Sequence, residues 1–243
     1  MTSLVPSPTV LKNLASSTEA YHQQLLSPEG ERHYEYLNVE RGLDHETIVR
    51  FKLGAVLDAS VSHEQAAGML AIPYLTPAGT VQIRFRKAPW AMGPKYWQTS
   101  GSLIRMFNTN LLLDPGSFVY VCEGEFDAMA ATQAGLPAVG IAGVNGWRDH
   151  FYLMLSGFDR VVFLADRDSE SDSDEGKAKP EDWPEDKEWK PITNAGLKFA
   201  TKHAEKIDGG AVIQMPDGYD VNSYLIEHGP EALRAHLGIR SSL

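Results

Sequence analysis

The C-terminal half of the chain repeats one pattern, in which a short apolar run ends in acidic residues. Phe118–Cys122 is followed by Glu123, and Arg160–Ala165 is followed by Asp166. Helical patterns separate such runs, and this alternation is typical of β-α units that build a parallel sheet. Because all strands of a parallel sheet run the same way, the residues that follow them share one edge, where ligands bind. The pattern therefore predicts an α/β fold with acids gathered at that edge.

Two further apolar runs, Pro137–Ile141 and Ala211–Met215, extend the pattern. Four acids follow the strands: Glu123, Asp166, Asp168 and Asp220. A fifth acid, Asp127, falls in the first turn of the helix that follows the first strand. Taken alone, Glu123 could equally be a first-turn acid that interacts with the helix dipole. Repulsion among several acids at one edge is costly unless a cation joins them. Since hard oxygen ligands favour Mg²⁺ or Mn²⁺ over zinc, the edge is a predicted divalent-metal site.

These acids carry a family resemblance. Glu123-Gly-Glu-Phe-Asp127 resembles the glutamate motif of a Toprim domain, and Asp166-Arg-Asp168 resembles its DxD motif. Pro216–Asn222, followed by a helix, resembles the third acidic motif of DnaG-type primases. The resemblance extends from about Tyr34 to Leu237. It implies a DnaG-type primase catalytic core whose Toprim domain is a Rossmann-like parallel sheet with flanking helices.

The N-terminal part predicts a small helical module. Thr9–Leu26 has apolar residues at helical spacing, and a second helix is predicted from Pro28 to Val39. Asp44 is the predicted cap of a third helix that ends near Gly54. No chemistry is visible in this module, although Tyr36–Gly54 resembles the DnaG-type segment that precedes the basic strands of the polymerase core.

A basic β region follows the helical module. Met69–Leu75 and Thr80–Arg86 predict two strands joined by a tight turn, with Gln82, Arg84 and Arg86 on one face of the second. No acid occurs from 81 to 110, and cations alternate with aromatic residues there: Lys87, Trp90, Lys95, Tyr96, Trp97 and Arg105. Such a face suits binding of phosphates and stacking of single-stranded bases. The alternative is a solvated strand face whose tryptophans anchor it in the core.

Length and composition agree with two domains of a globular protein, predicted as 1–113 (helical and basic β) and 114–243 (Toprim). The chain has 243 residues, of which 43% are hydrophobic, and no apolar run approaches the length of a membrane span. Its single cysteine, Cys122, excludes an internal disulfide and a multi-cysteine zinc ribbon. The net charge of −10 argues against nucleic-acid binding, but net charge is an average over regions that differ, so a local basic region could still bind nucleic acid. A cytoplasmic location is expected, in the host cytoplasm if a phage encodes the protein.

The resemblance implies synthesis of RNA primers on single-stranded DNA by nucleotidyl transfer, with Glu123, Asp127, Asp166 and Asp168 as catalytic residues. Mg²⁺ or Mn²⁺ would be held by Glu123, Asp166, Asp168 and Asp220, while Asp127 would orient Glu123 or a metal-bound water. Template and ribonucleoside triphosphates would contact Arg84, Arg86, Lys87, Lys95 and Arg105. With no zinc module or helicase domain in the sequence, we expect a stand-alone core of the sort a phage could encode. A replicative helicase or a separate zinc-binding subunit is the expected protein partner.

Two departures and two alternatives remain open at this point. Ser169–Pro191 is an acidic insertion where DnaG-type primases pass from the DxD motif into a glycine and a helix. Asn222 stands where the primase pattern often has another acid, and it could offer a neutral oxygen ligand or cap the following helix. The same acids could serve a Toprim nuclease. A non-catalytic single-strand-binding adaptor of the replisome would also fit.

Overall fold

The computed structural model describes residues 6–113, 116–167 and 194–239. The acidic insertion Ser169–Pro191 lies outside the described residues, and so does Asp168. The chain forms two compact units, Met1–Leu113 and Asp114–Leu243. Among the helices in these described ranges, none combines the length and the hydrophobicity that crossing a membrane requires.

The first unit combines helices with an antiparallel sheet. Its elements are α1 (Pro8–Leu26), α2 (Glu31–Glu35), α3 (His45–Arg50), β1 (Gly54–Ala55), β2 (Leu70–Thr76), β3 (Gly79–Arg86) and β4 (Tyr96–Trp97). The strands lie side by side in the order β1-β2-β3-β4. The first predicted helix is confirmed. The third begins as predicted, because Asp44 caps α3 by accepting a hydrogen bond from the Thr47 N–H at 2.7 Å, but it ends at Arg50, and Gly54 belongs to β1. The second predicted helix is divided into a 3-10 turn at Pro28–Gly30, α2, and a π-helical turn at Tyr36–Glu40.

Helix α1 packs directly on the antiparallel sheet. Tyr21 of α1 is buried with Ile83 and Phe85 of β3 in one apolar cluster. The approach is close, because a Cβ added at Gly54 would lie 2.6 Å from the Tyr21 Cβ. The two predicted strands are confirmed, although the pairing of β2 with β3 shifts register between Tyr74 and Leu75. This bulge changes the twist of the β2–β3 hairpin beside α1.

The second unit is built around a parallel sheet. Its elements are β5 (Phe118–Cys122), α4 (Glu125–Gln133), β6 (Ala138–Gly140), α5 (His150–Leu155), β7 (Arg160–Ala165), α6 (Ala195–Ala204), β8 (Gly210–Gln214) and α7 (Val221–His236), which bends at Gly229. The strand order is β6-β5-β7-β8, and each neighbouring pair is parallel. The predicted α/β fold with a parallel sheet is therefore confirmed.

The strand order defines where a ligand site is expected. The chain passes from β5 outward to β6 and then returns to the other side of β5 as β7. The order therefore reverses between β5 and β7, and ligands of open parallel sheets bind at such switch points, beyond the carboxyl ends of the strands. Glu123 and Asp166 are the residues that follow these two strands.

Candidate active site and nucleic-acid interface

Glu123 and Asp166 meet at the switch point of the parallel sheet. Strands β5 and β7 are paired directly, with Val121 opposite Phe163. The Asp166 backbone N–H donates a hydrogen bond to Glu123 Oε1 at 3.3 Å. The sheet thus brings together two acids that are 43 positions apart in the sequence.

The first turn of α6 lies against the Glu123 carboxylate. Asn194 caps this helix by accepting a hydrogen bond from the Leu197 N–H at 2.9 Å. Gly196, the second residue of α6, approaches Glu123 so closely that an added Cβ would lie 2.1 Å from Oε1. Sequence reasoning did not assign a role to this glycine, although the family pattern places a glycine and a helix after the DxD motif. Gly196 leaves the space that the carboxylate occupies.

Asp127 joins the first turns of two helices. Its side chain is only 8% exposed, and Oδ1 accepts a hydrogen bond from the Asn222 N–H of α7 at 3.1 Å. Its other oxygen, Oδ2, would lie 2.8 Å from a Cβ added at Gly124, the cap of α4. The carboxylate therefore sets the position of α7 relative to α4. Asn222 is buried, and it is Asp220 that caps α7, so the possibility that Asn222 caps this helix was wrong.

Asp220 is engaged in a capping box at the start of α7. Its Oδ1 accepts a hydrogen bond from the Ser223 N–H at 2.6 Å, and Ser223 Oγ accepts one from the Asp220 N–H at 3.0 Å. Within the described ranges, which exclude Asp168, no group of three or more His, Cys, Asp or Glu residues is placed to hold a metal ion. Among the predicted ligands, Glu123 and Asp166 are joined by a hydrogen bond from the Asp166 backbone N–H to the Glu123 carboxylate.

Negative charge is concentrated around the end of β5. The Cys122 thiol is fully buried, and burial raises its pKa well above the ordinary value; the charges of Asp127, Asp166 and Glu123 raise the pKa further. All three carboxylates therefore lie close enough to the Cys122 thiol to disfavour its ionisation. The adjoining Arg167 Nε lies 3.8 Å from an Asp217 oxygen, which ties the ends of β7 and β8 together.

Three of the predicted nucleic-acid-binding cations surround one ring in the first unit. The Arg84 guanidinium lies 4.2 Å from the centre of the Tyr96 ring, and the Lys95 ammonium lies 5.9 Å from it. Arg86 donates a hydrogen bond to the Tyr96 hydroxyl. Lys87 continues the strand pairing by donating its backbone N–H to the Lys95 carbonyl at 2.9 Å. We call Arg84, Arg86, Lys95 and Tyr96 the Tyr96 cluster.

Arg105 lies in a different environment from the Tyr96 cluster. It lines a cleft of about 460 Å³ formed by α1, β3 and residues 99–103. Its side chain is half-buried, and this burial lowers the pKa of its guanidinium. The fifth predicted cation therefore faces a concave site rather than the Tyr96 ring.

The two tryptophans of the basic region are packed into the protein. Trp97 contacts Phe85 with ring centres 5.3 Å apart, and its Nε1 donates a hydrogen bond to Gln65 at 2.9 Å. Trp90 packs edge-on against His33 at 5.0 Å, and the Arg32 guanidinium lies 4.2 Å from its ring centre. Both side chains are half-buried, so the alternative of tryptophans anchored in the core is borne out only in part.

The fold described above is the fold of DnaG primase catalytic cores. The RNA polymerase domain of Mycobacterium tuberculosis primase DnaG, solved with a double-stranded DNA oligomer, matches with a TM-score of 0.69 at 21% identity, over 98% of this chain and 83% of that one. The E. coli primase catalytic core matches with a TM-score of 0.67 at 20% identity, over 94% of this chain and 79% of that one. The predicted resemblance to DnaG-type catalytic cores is confirmed as a likeness of fold.

No protein-family model matches the chain. The gene 57 protein of Mycobacterium phage D29 is 30% identical to it over 171 residues, which cover 68% of this chain and 95% of the phage protein. The chain belongs to the same family as this phage protein.

Proposed function

We propose that this protein is a DNA primase, which synthesises short RNA primers on single-stranded DNA from ribonucleoside triphosphates. The observation that carries the proposal is the pairing of Glu123 with Asp166 at the switch point of the sheet, in a chain with the DnaG catalytic-core fold. In this proposal the second unit, 114–243, is a Toprim domain.

The donor set suits a hard divalent cation, Mg²⁺ or Mn²⁺. Mg²⁺ needs only one or two protein carboxylates, because waters and substrate phosphates complete its shell. Glu123 and Asp166 are two such carboxylates, and after burial, which is the main cause, their charges also raise the pKa of the Cys122 thiol. Asp168 and Asp220 complete the proposed ligand set. When bound, the metal would neutralise the triphosphate and favour ionisation of the primer-end hydroxyl.

The remaining residues of the site act by positioning. Asp127 holds the start of α7 through the Asn222 N–H, so the Asp220 that caps α7 is held as well. Gly196 leaves room for the Glu123 carboxylate, and the Asp166 N–H orients one of its oxygens. A displacement of about 1 Å in such groups can cost about 100-fold in rate.

The template and the incoming nucleotide are proposed to bind the cations of the first unit. The Tyr96 cluster holds two guanidinium groups and one ammonium around a single ring, a preorganised arrangement for phosphate oxygens. Lys87 and Arg105 are proposed to add further phosphate contacts. A DnaG primase catalytic domain of the same fold, 21% identical, has been solved bound to single-stranded DNA. A helicase or a separate zinc-binding subunit remains the proposed protein partner.

The test is primer synthesis on short single-stranded templates with labelled ribonucleotides and Mg²⁺ or Mn²⁺. We expect oligoribonucleotides from the native protein and none from Asp166→Asn. Asp159→Asn is the matched control, because Asp159 is exposed and precedes β7, whereas Asp166 follows it. Cleavage of the template in place of synthesis would identify a nuclease. The absence of both synthesis and cleavage would favour an adaptor.

Template binding has its own test in the salt dependence of affinity. Each phosphate contact to a single strand contributes about 0.7 to the slope of log affinity against log salt. Arg84→Ala should therefore lower the slope by about 0.7. Arg160→Ala, an exposed arginine at the first position of β7, is the control and should leave the slope unchanged. Equal slopes for the native protein and Arg84→Ala would contradict a phosphate contact at Arg84.

A further inference from the structure

Three lysines form a row along the outer side of α6. Lys198 and Lys202 lie four residues apart on this helix, and Lys206 lies four residues later, in the turn that directly follows it. Residues four apart share one side of a helix and are separated by about 6 Å along its axis. All three lysines are exposed, whereas Phe199 and Ala204 of the same helix are buried against the sheet side. We call Lys198, Lys202 and Lys206 the α6 lysine row.

No ion pair neutralises the α6 lysine row among the described residues of the second unit. The unit is acidic as a whole, because residues 114–243 include 23 Asp and Glu but only 12 Lys and Arg. Glu205 is the one acid between 195 and 206, and it is not paired with the lysines beside it. In the first unit, by contrast, Lys52 is paired with Glu19 at 2.9 Å. The row is therefore a local basic surface on an acidic unit.

The charge of the row is felt inside the protein. His203 of α6 is buried and stacks on Trp147, with ring centres 4.4 Å apart. Burial lowers the pKa of His203, the charges of Lys202 and Lys206 lower it further, and the charge of Asp149 opposes them. A positive potential from the row thus persists at the packed side of α6, although Asp149 reduces it. The stacked contact also fixes the helix that carries the lysines.

The α6 lysine row begins at the edge of the sheet that holds the candidate active site. Gly196, two residues before Lys198, lies against the Glu123 carboxylate. Since β7 and β8 are parallel, α6, which connects them, runs from that edge back along the sheet. An extended anionic chain that leaves the edge along α6 would therefore meet Lys198, Lys202 and Lys206 one after another.

We propose that the α6 lysine row binds the phosphate backbone of the single-stranded DNA template beside the active-site edge. The choice of the template rests on the proposed function, whereas the row and its charge do not. A single file of cations can follow one backbone, and lysine contacts to phosphates do not depend on the base sequence. The row adds to the contacts proposed for the Tyr96 cluster, which belongs to the first unit.

The first test is the salt dependence of binding to a short fluorescent single strand, measured by anisotropy with the full chain and no divalent metal. Each phosphate contact to a single strand contributes about 0.7 to the slope of log affinity against log salt. Lys202→Gln should lower the slope by about 0.7, and the triple variant Lys198→Gln, Lys202→Gln and Lys206→Gln by about 2. Lys12→Gln, the same change at an exposed lysine of α1, is the matched control and should leave the slope unchanged. Thermal unfolding should show that the triple variant is folded, because the replaced residues are exposed.

The second test locates the strand by crosslinking. Cys122 is buried, so a cysteine introduced at the surface carries the reactive thiol. Thr201→Cys, at an exposed position next to Lys202, should crosslink the oligonucleotide through an attached photoreactive group. Glu231→Cys, at an exposed position of α7, which packs on α4, should not.

The outcomes separate this inference from the proposed function. A slope in the triple variant equal to that of the native protein, or equal crosslinking from Thr201→Cys and Glu231→Cys, overturns the inference. Tighter binding of a duplex than of the single strand, with a loss of about 0.9 in slope for each lysine, overturns the choice of a single-stranded template. Strand binding through the row in a protein that makes no primers would refute the proposed function and leave the row standing. Primer synthesis with an unchanged slope would refute the row alone.

Discussion

Replacing Gly196 with alanine should separate activity from stability in this protein. An added Cβ would lie 2.1 Å from Glu123 Oε1 and 3.0 Å from its Cδ. The first distance is about 1 Å inside the closest ordinary carbon–oxygen contacts, which are roughly 3.3 Å. Since Oε1 is the end of a flexible side chain, we expect the carboxylate to move by about 1 Å while the backbone of α6 stays in place.

Gly196→Ala should lower the rate of primer synthesis and leave the stability of the fold unchanged or slightly higher. A misplacement of about 1 Å can cost about 100-fold in rate, so primer synthesis by Gly196→Ala should fall by about two orders of magnitude. Alanine favours a helical conformation over glycine by up to about 1 kcal/mol. The free energy of unfolding should therefore stay the same or rise slightly.

The two quantities are measured on the same preparation, by primer synthesis with labelled ribonucleotides and by thermal unfolding followed with circular dichroism. Gly116→Ala is the matched control, because no described atom lies within 4 Å of a Cβ added there. Full activity in Gly196→Ala would refute the role assigned to the Glu123 carboxylate. A fall in the unfolding temperature together with activity would show that the backbone, rather than the carboxylate, absorbs the overlap.

Three further predictions follow from buried groups. Asp127→Ala should lower the free energy of unfolding, measured in urea, by about 1–3 kcal/mol, because it leaves the buried Asn222 N–H without its acceptor. Asp127→Asn keeps an acceptor oxygen and should lower the free energy of unfolding less. Equal losses in the two variants would contradict this role of Asp127. Burial, with the charges of Lys202 and Lys206, lowers the pKa of His203 from 6.5 to about 4, so the unfolded chain binds a proton over that range while the folded protein does not. Stability should fall as the pH decreases from 6.5 to about 4, and His203→Phe should flatten the profile measured by urea unfolding at a series of pH values. The raised pKa of Cys122 should leave the native thiol unlabelled by a disulfide reagent at neutral pH, with labelling only after unfolding; rapid labelling of the native protein would contradict its burial.

The strands of the parallel sheet could be predicted from the sequence, because a run of neighbouring apolar residues is enough to indicate each of them. Strands β5 and β7 coincide with the predicted runs, since strands covered on both faces appear as continuous apolar segments. Strands β1 and β4 contain two residues each, too few for any periodicity, and they form because β2 and β3 offer open edges to pair with. Helix α5 has six residues, and the sequence predicted that a helical segment lies between β6 and β7 without giving its bounds.

The side chains of the candidate site required the tertiary structure. The sequence located the acids at strand ends, because strand periodicity and helix caps are properties of neighbouring residues. It did not show that Gly196 lies against Glu123, or that Asp127 binds the Asn222 N–H 95 positions away. Those contacts depend on strand order and on where the crossover helices begin, which no local pattern encodes.

The basic region shows the same division between local and long-range information. Sequence alone determined that 81–110 carries cations and no acids. Only the fold decided that Trp90 and Trp97 pack half-buried against His33 and Phe85, that three cations surround Tyr96, and that Arg105 lines a cleft. Composition and alternation predict which residue types share a face, whereas the packing of α1 against β3 determines which of them stay accessible.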